Sequence, residues 1–263
     1  MKEIDNLLEV MNRLRGDNGC NWDKKQTHES LTPYLLEESY EVVDALERKD
    51  QINLKEELGD LLFQIVFHSK IADENNTFHL RDVASSITDK LIRRHPHVFE
   101  DQKSLESEEV VVNWAKLKEK EKRDSGIIKQ SILDDIPNAL PALQKSLKIQ
   151  EKVSEVGFDW DSLTGVFQKV KEELSELEEE IFNDSSSKER KEEELGDLMF
   201  TLVNLAKFLK INPETALRKA NQKFNKRFRT IEKYAKTENK NILDLTKDEM
   251  EELWQISKSI DNL

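Results

Sequence analysis

Two acidic motifs occur twice in this 263-residue chain, each time in the same order. Glu37-Glu38-Ser39-Tyr40-Glu41 precedes Glu57-Leu58-Gly59-Asp60, and Glu172-Glu173-Leu174-Ser175-Glu176 precedes Glu194-Leu195-Gly196-Asp197. Helical residues three apart project from one side with Cβ atoms about 5–6 Å apart. Glu38 with Glu41 and Glu57 with Asp60 therefore make two carboxylate pairs, repeated by Glu173 with Glu176 and Glu194 with Asp197. Leu198, Thr201 and Leu205 follow Asp197 at helical spacing, and Val170 and Leu177 flank Glu173, so the acids border an apolar stripe. Carboxylates crowded there repel one another and lose hydration unless a cation compensates. Both quartets offer oxygen donors alone, which favours Mg²⁺, with Mn²⁺ as a substitute, over Zn²⁺. Without a Glu-x-x-His motif, a di-iron bundle is not expected. An ion of this type shares its remaining positions with phosphate oxygens, so the chemistry to expect is that of a nucleotide phosphate.

The repeat is wider than the acids. Trp22-Asp23 precedes the first set and Trp160-Asp161 the second; Lys90 and Arg94 follow the first, Lys223 and Arg227 the second; Trp114 and Trp254 close them. Each Lys/Arg pair is spaced four apart and presents two cations from one helix face, suited to a triphosphate that also bridges the metal. A closing tryptophan such as Trp254 can stack on a base. Glu38 and Glu57 lie 19 residues apart, Glu173 and Glu194 21, a difference absorbed by the intervening loop. A solvated acidic face is the plain alternative for one quartet, but self-similarity in fixed order indicates duplication. His95-Pro96-His97 lacks the further Cys or His of a zinc site, and Cys20 lacks a paired base.

The elements that must carry these residues are helices. Seven Gly and five Pro leave few strand-and-turn signals, while Leu, Glu and Lys dominate. Apolar spacing predicts helices at about 31–46, 54–71, 80–94 and 107–123, then at about 164–182, 188–209, 214–234 and 247–260. Gly126, Pro137 and Pro141 mark a boundary. The expected organisation is all-α, with domains at 1–123 and 142–263 joined by a linker at 124–141.

A net charge of −13 argues against a surface that tracks a nucleic-acid polymer, which needs a basic stripe. A free nucleotide needs only a local cluster of cations. No window approaches the roughly 18 apolar residues of a membrane span, and no export signal opens the chain. One cysteine forms no intrachain disulfide, so a cytoplasmic protein is expected.

With these motifs in hand, the chain resembles the MazG family of tandem-domain nucleoside triphosphate pyrophosphohydrolases, within the all-α NTP pyrophosphatase superfamily. The matching segments are 21–31 (NWDKKQTHESL), 93–99 (RRHPHVF), 133–137 (LDDIP), 156–160 (VGFDW) and 221–228 (NQKFNKRF), besides both acidic motifs. Asn21 stands where the family usually has Pro, with Trp22-Asp23 intact. The resemblance implies two tandem four-helix-bundle-type units completed by dimerisation into a homodimer, with Mg²⁺ as cofactor. It implies hydrolysis of NTPs and dNTPs to the monophosphate and pyrophosphate, with the second domain the active one. By motif, Glu173, Glu176, Glu194 and Asp197 are its metal ligands; Lys223, Arg227 and Trp254 match nucleotide contacts, and Arg190 stands where another basic contact belongs. The cation would position the triphosphate for attack by water at the α-phosphorus. Glu172 is the candidate general base, with Glu37 its counterpart. The alternative is a non-catalytic regulatory nucleotide-binding or interaction module.

Overall fold

The computed structural model describes residues 2–99 and 130–261, together with 106, 109, 110, 113, 114, 117 and 121. The described elements are helical, with no strand among them, and the chain divides into two compact units, Met1–Ile127 and Ile128–Leu263. The helix expected at 107–123 falls largely outside the described residues, as does the start of the expected linker. Its later part turns at Asp134, whose carboxylate accepts from the amides of Gln130 and Ser131, both at 3.0 Å.

The first unit contains α1 (Lys2–Arg15), α2 (Asn21–Lys25), α3 (His28–Arg48), α4 (Gln51–Glu74), α5 (Leu80–Arg94) and α6 (Pro96–Phe99). Helix α3 begins earlier than its apolar pattern. Thr27 accepts from the Ser30 amide at 3.2 Å and Ser30 Oγ accepts from the Thr27 amide at 2.9 Å, a reciprocal cap that satisfies two orphan donors. Pro33 then costs one internal hydrogen bond without ending the helix. Helix α3 stops at Lys49, which takes a left-handed φ of 57°, and Asp50 caps α4 by accepting from Asn53 at 3.1 Å. This two-residue connection makes α3 and α4 antiparallel neighbours. Met11, Leu31, Val66, Phe67 and Ile71 form the buried core.

The second unit contains α7 (Ala142–Ser154), α8 (Leu163–Phe182), α9 (Lys188–Phe208), α10 (Pro213–Thr237), a 3₁₀ turn (Ile242–Asp244) and α11 (Lys247–Asp261). Ser162, Ser187 and Asn212 cap α8, α9 and α10 in turn, each side-chain oxygen accepting from the amide three residues on. Helices α8 and α9 pack as a hairpin; α7 lies against α9 and α10, and α10 against α11. Ile231, Ala235, Leu245 and Leu253 form a core between α10 and α11. Helices α1, α2, α6 and α7 are absent from the expectation. The first two precede the acidic repeat, α6 is a single turn starting at Pro96, which reads as a helix stop, and α7 starts directly after Pro141, at the first residue of the expected second domain.

Candidate functional site

In the second unit, α8 supplies Glu173 and α9 supplies Glu194 and Asp197. One carboxylate oxygen from each lies within 4.8 Å of the others. The hairpin brings the two motifs together because each sits on the face turned to the other helix. Glu173 is buried, Glu194 half-buried and Asp197 exposed, so the cluster runs from the protein interior to solvent. Desolvation raises the Glu194 carboxyl above its ordinary range, opposed by Arg190 and reinforced by Glu176 and Asp197. Glu176 is therefore close enough to act on the cluster electrostatically, although it stands outside the three-residue group.

The acids carry their own counter-ions. Lys169 Nζ lies 2.6 Å from Glu172 and 2.8 Å from Glu173, which raises the lysine pKa. Arg190 reaches Glu193 at 3.1 Å, Glu180 at 3.5 Å and Glu194 at 3.6 Å. Glu172 is thus tied to the cluster through one ammonium and itself faces outward.

Glu173 and Asp197 also line a cavity of about 590 Å³ between α7, α8 and α9. Val153, Phe158, Trp160 and Phe200 give it flat apolar walls, and Gln150, Thr201 and Asn204 add polar atoms. The segment between α7 and α8 is held over this space by Asp159, which pairs with Lys207 at 2.7 Å. Gly157 has a φ of +84°, a conformation that excludes most side chains. A Cβ at Gly165 would stand 3.2 Å from the Trp160 ring, so glycine there lets the indole lie close on the start of α8.

Lys223, Arg227 and Trp254 lie elsewhere in the unit. The Arg227 guanidinium sits 5.7 Å from the Trp254 ring, which is 5.0 Å from Phe224. These residues belong to α10 and α11 and take part in neither the acidic group nor the cavity lining. One chain therefore brings Arg227 and Trp254 together but not onto Glu173.

In the first unit the group within 4.8 Å is Glu38, Glu41 and Glu57; it includes Glu41, the counterpart of Glu176, in place of Asp60, the counterpart of Asp197, and Asp60 acts on Glu38 and Glu57 electrostatically. Desolvation raises Glu38 and Glu57, and their acidic neighbours raise them further. Arg94 is engaged by Glu121 at 2.7 Å, and Arg93 by the same carboxylate at 2.6 Å, holding the Glu121 carboxyl down at about 2. His95 and His97 stand 5.7 Å apart between ring centres, and neither belongs to a metal-competent group among the described residues.

A MazG nucleotide pyrophosphohydrolase domain matches the chain twice, at residues 26–99 and 162–231. The chain is 46% identical, over 256 residues and 97% of each chain, to the nucleoside triphosphate pyrophosphohydrolase of Escherichia coli (strain K12). The chain belongs to the MazG family. It is also 43% identical, over 98% of its length and 96% of the other's, to the nucleoside triphosphate pyrophosphohydrolase/pyrophosphatase MazG of Thermotoga maritima. A solved MazG-related protein from Thermotoga maritima aligns with 44% of the chain and 98% of its own length, with 29% identity and a TM-score of 0.39. In this MazG-family chain the second match contains both acidic motifs, Arg190, Lys223, Arg227 and Asn204, whereas Gln150 and Trp254 lie outside it.

Lys169, Gln150, Asn204 and Lys207 are absent from the sequence-derived site. Lys169 was detectable, since it stands four residues before Glu173 on the same helical face. The two amides had no comparable signal, because their role depends on α7 packing against α9.

Proposed function

We propose that the chain is a metal-dependent nucleoside triphosphate pyrophosphohydrolase that releases pyrophosphate from NTPs and dNTPs, with its working site in the second unit. The observation that carries this reading is the Glu173, Glu194 and Asp197 cluster at the edge of a cavity with aromatic walls, two of the three acids lining both. The donor set consists of oxygens within 4.8 Å, which fits a hard divalent cation, and Mg²⁺ is the proposed ion. Glu176 is the proposed fourth ligand. When bound, the ion supplies Lewis-acid charge against the triphosphate oxygens.

The remaining work falls to side chains. Lys169 and Arg190 are positioned to exchange their carboxylate partners for phosphate oxygens once the acids are otherwise neutralised. The cavity takes the nucleoside, and the Asp159–Lys207 pair keeps its covering segment in place. Glu172 is proposed as the base that removes a proton from the attacking water, directed at the α-phosphorus. Lys223, Arg227 and Trp254 are proposed to complete a nucleotide site across a homodimer.

Two features support the homodimer. Helices α8 and α9 leave Leu174, Ile181, Leu195, Met199 and Leu202 about half exposed. Gly59 and Gly196 each interrupt a long helix at a cost of roughly 0.5–1 kcal/mol, yet open space surrounds both within the chain. A close approach by a second copy explains why glycine stands there. We also propose that residues 124–141 connect functional domains at 1–123 and 142–263, and that the lone Cys20 reflects a reducing, cytoplasmic setting.

Incubation with ATP and Mg²⁺ tests the activity. AMP plus pyrophosphate is the expected outcome, and ADP plus phosphate would reject the bond choice. Glu172→Gln is expected to lower kcat while leaving metal affinity unchanged; equal loss of both would make Glu172 a ligand and not a base.

A further inference from the structure

Gln150 is 2% exposed, and its side-chain nitrogen donates to the Phe200 carbonyl at 2.8 Å. A carbonyl only accepts, so this bond fixes which way the amide faces. Its oxygen is left buried with no hydrogen-bond partner, on a residue that lines the cavity. Asn204, one helical turn beyond Phe200, lines the same cavity, and its side-chain oxygen is likewise buried without a partner. A buried acceptor left unpaired costs about 1–3 kcal/mol. Two side-chain amides with unmet hydrogen-bonding capacity at one cavity, among aromatic walls, are better explained by a ligand that bonds to them than by chance.

We infer that Gln150 and Asn204 form a base-edge reader that demands one N–H donor from the nucleobase without selecting which base supplies it. The inference rests on the nucleotide reading above. Gln150 contributes a fixed acceptor. Asn204 has no bond locking its amide among the described residues, so a half-turn presents either oxygen or nitrogen. Each standard base offers a matching edge. Adenine and cytosine place an amino group beside a ring-nitrogen acceptor, guanine and uracil or thymine place a ring N–H beside a carbonyl. Gln150 as fixed acceptor and Asn204 with its nitrogen turned inward as donor meet all of them, whereas a base with no donor on that edge leaves the Gln150 oxygen stranded.

The test compares substrates that differ by one amino group and add no bulk. ATP is paired with purine riboside triphosphate and CTP with pyrimidin-2-one riboside triphosphate, using the full chain with Mg²⁺. Loss of the amino group is expected to lower kcat/KM about tenfold or more in the wild type, while ATP, CTP, GTP and UTP stay within about tenfold of one another. In Gln150→Met, which keeps length and removes the acceptor, the contrast within each pair should shrink to about twofold. Equal use of both members of each pair by the wild type would overturn the inference and leave the two oxygens to water or sugar hydroxyls. An undiminished contrast in a folded Gln150→Met protein would overturn it as well. If that variant does not fold, the wild-type pairs alone decide. If no triphosphate is hydrolysed, the proposed function fails, and calorimetric binding of the same pairs still decides the base-edge inference.

Discussion

The two units carry matching acidic motifs on matching helix pairs, yet the surroundings of those acids differ in kind. Where the second unit has Asn204 beside a cavity, the corresponding position of the first is Phe67, fully buried against Met11, Leu31 and Ile71, with the Arg15 guanidinium 5.4 Å from its ring. Where the second has Lys169 and Arg190 among its carboxylates, the first has Tyr34 and Asn53. Tyr34 packs edge-on to Trp22 at 5.8 Å and contributes no cation. Arg94, one of the cations expected to serve the first unit, is engaged by Glu121. On the proposed function, the acidic quartets offer places for a cation, and the side chains behind and beside them decide whether a nucleotide shares that place.

The largest effect should come from Phe67. Phe67→Ala is expected to destabilise the first unit by about 3–5 kcal/mol, because a fully buried ring leaves a void, and chemical denaturation reads the loss. The counterpart Asn204→Ala should be much milder, and equal losses would mean that the two positions are not different in kind. Next, Glu194→Gln or Asp197→Asn should reduce pyrophosphate release by about 10²–10³-fold, as loss of a key electrostatic group does, whereas Glu57→Gln and Asp60→Asn should leave it within about twofold. Comparable losses from both sets would make the first unit catalytic and break the contrast.

A smaller effect is expected from Asn204→Phe, which copies the first unit into the second. It should raise KM for ATP about tenfold by filling the cavity while divalent-ion binding persists. The smallest effect concerns pH. Glu121 and Glu249, held at about 2 by their cationic and hydrogen-bond partners, contribute stability present above the ordinary 4.5 and lost as pH falls towards 2. Glu38, Glu57 and Glu194 are raised, so the folded form holds more protons than the unfolded one, and stability declines as pH rises above 4.5 through their range. Melting temperature in a chelator should therefore pass through a maximum, and Mg²⁺ should flatten the decline on its alkaline side. An unchanged decline with Mg²⁺ would separate these acids from metal binding.

The sequence was most legible where local rules dominate. Helical periodicity located α3, α4, α5 and α8 to α11 with ends shifted by a few residues, because Thr27, Asp50 and Asn212 act as caps ahead of the first apolar position. Three-residue spacing on adjoining helices anticipated that acids would gather, but each unit brings only three of its four together, leaving out Asp60 in the first and Glu176 in the second. The cavity was not anticipated, since Gln150 and Asn204 are 54 residues apart and meet only through packing of α7 on α9. Each reads as an ordinary polar residue until burial reveals an oxygen without a partner. Trp254 was legible as an aromatic able to stack on a base, but neither its place beside Arg227 nor its distance from the acidic cluster was, since both depend on tertiary arrangement.

Lys169 has a consequence for the order in which the molecule is made. Its ammonium stands between Glu172 and Glu173, so the chain can close α8 onto α9 with part of the acidic charge already balanced. Folding need not wait for a cation, and loading can follow as an exchange of one positive partner for another. On the proposed metal-dependent reading, newly synthesised protein would remain folded through a shortage of free divalent ions and become competent when they return.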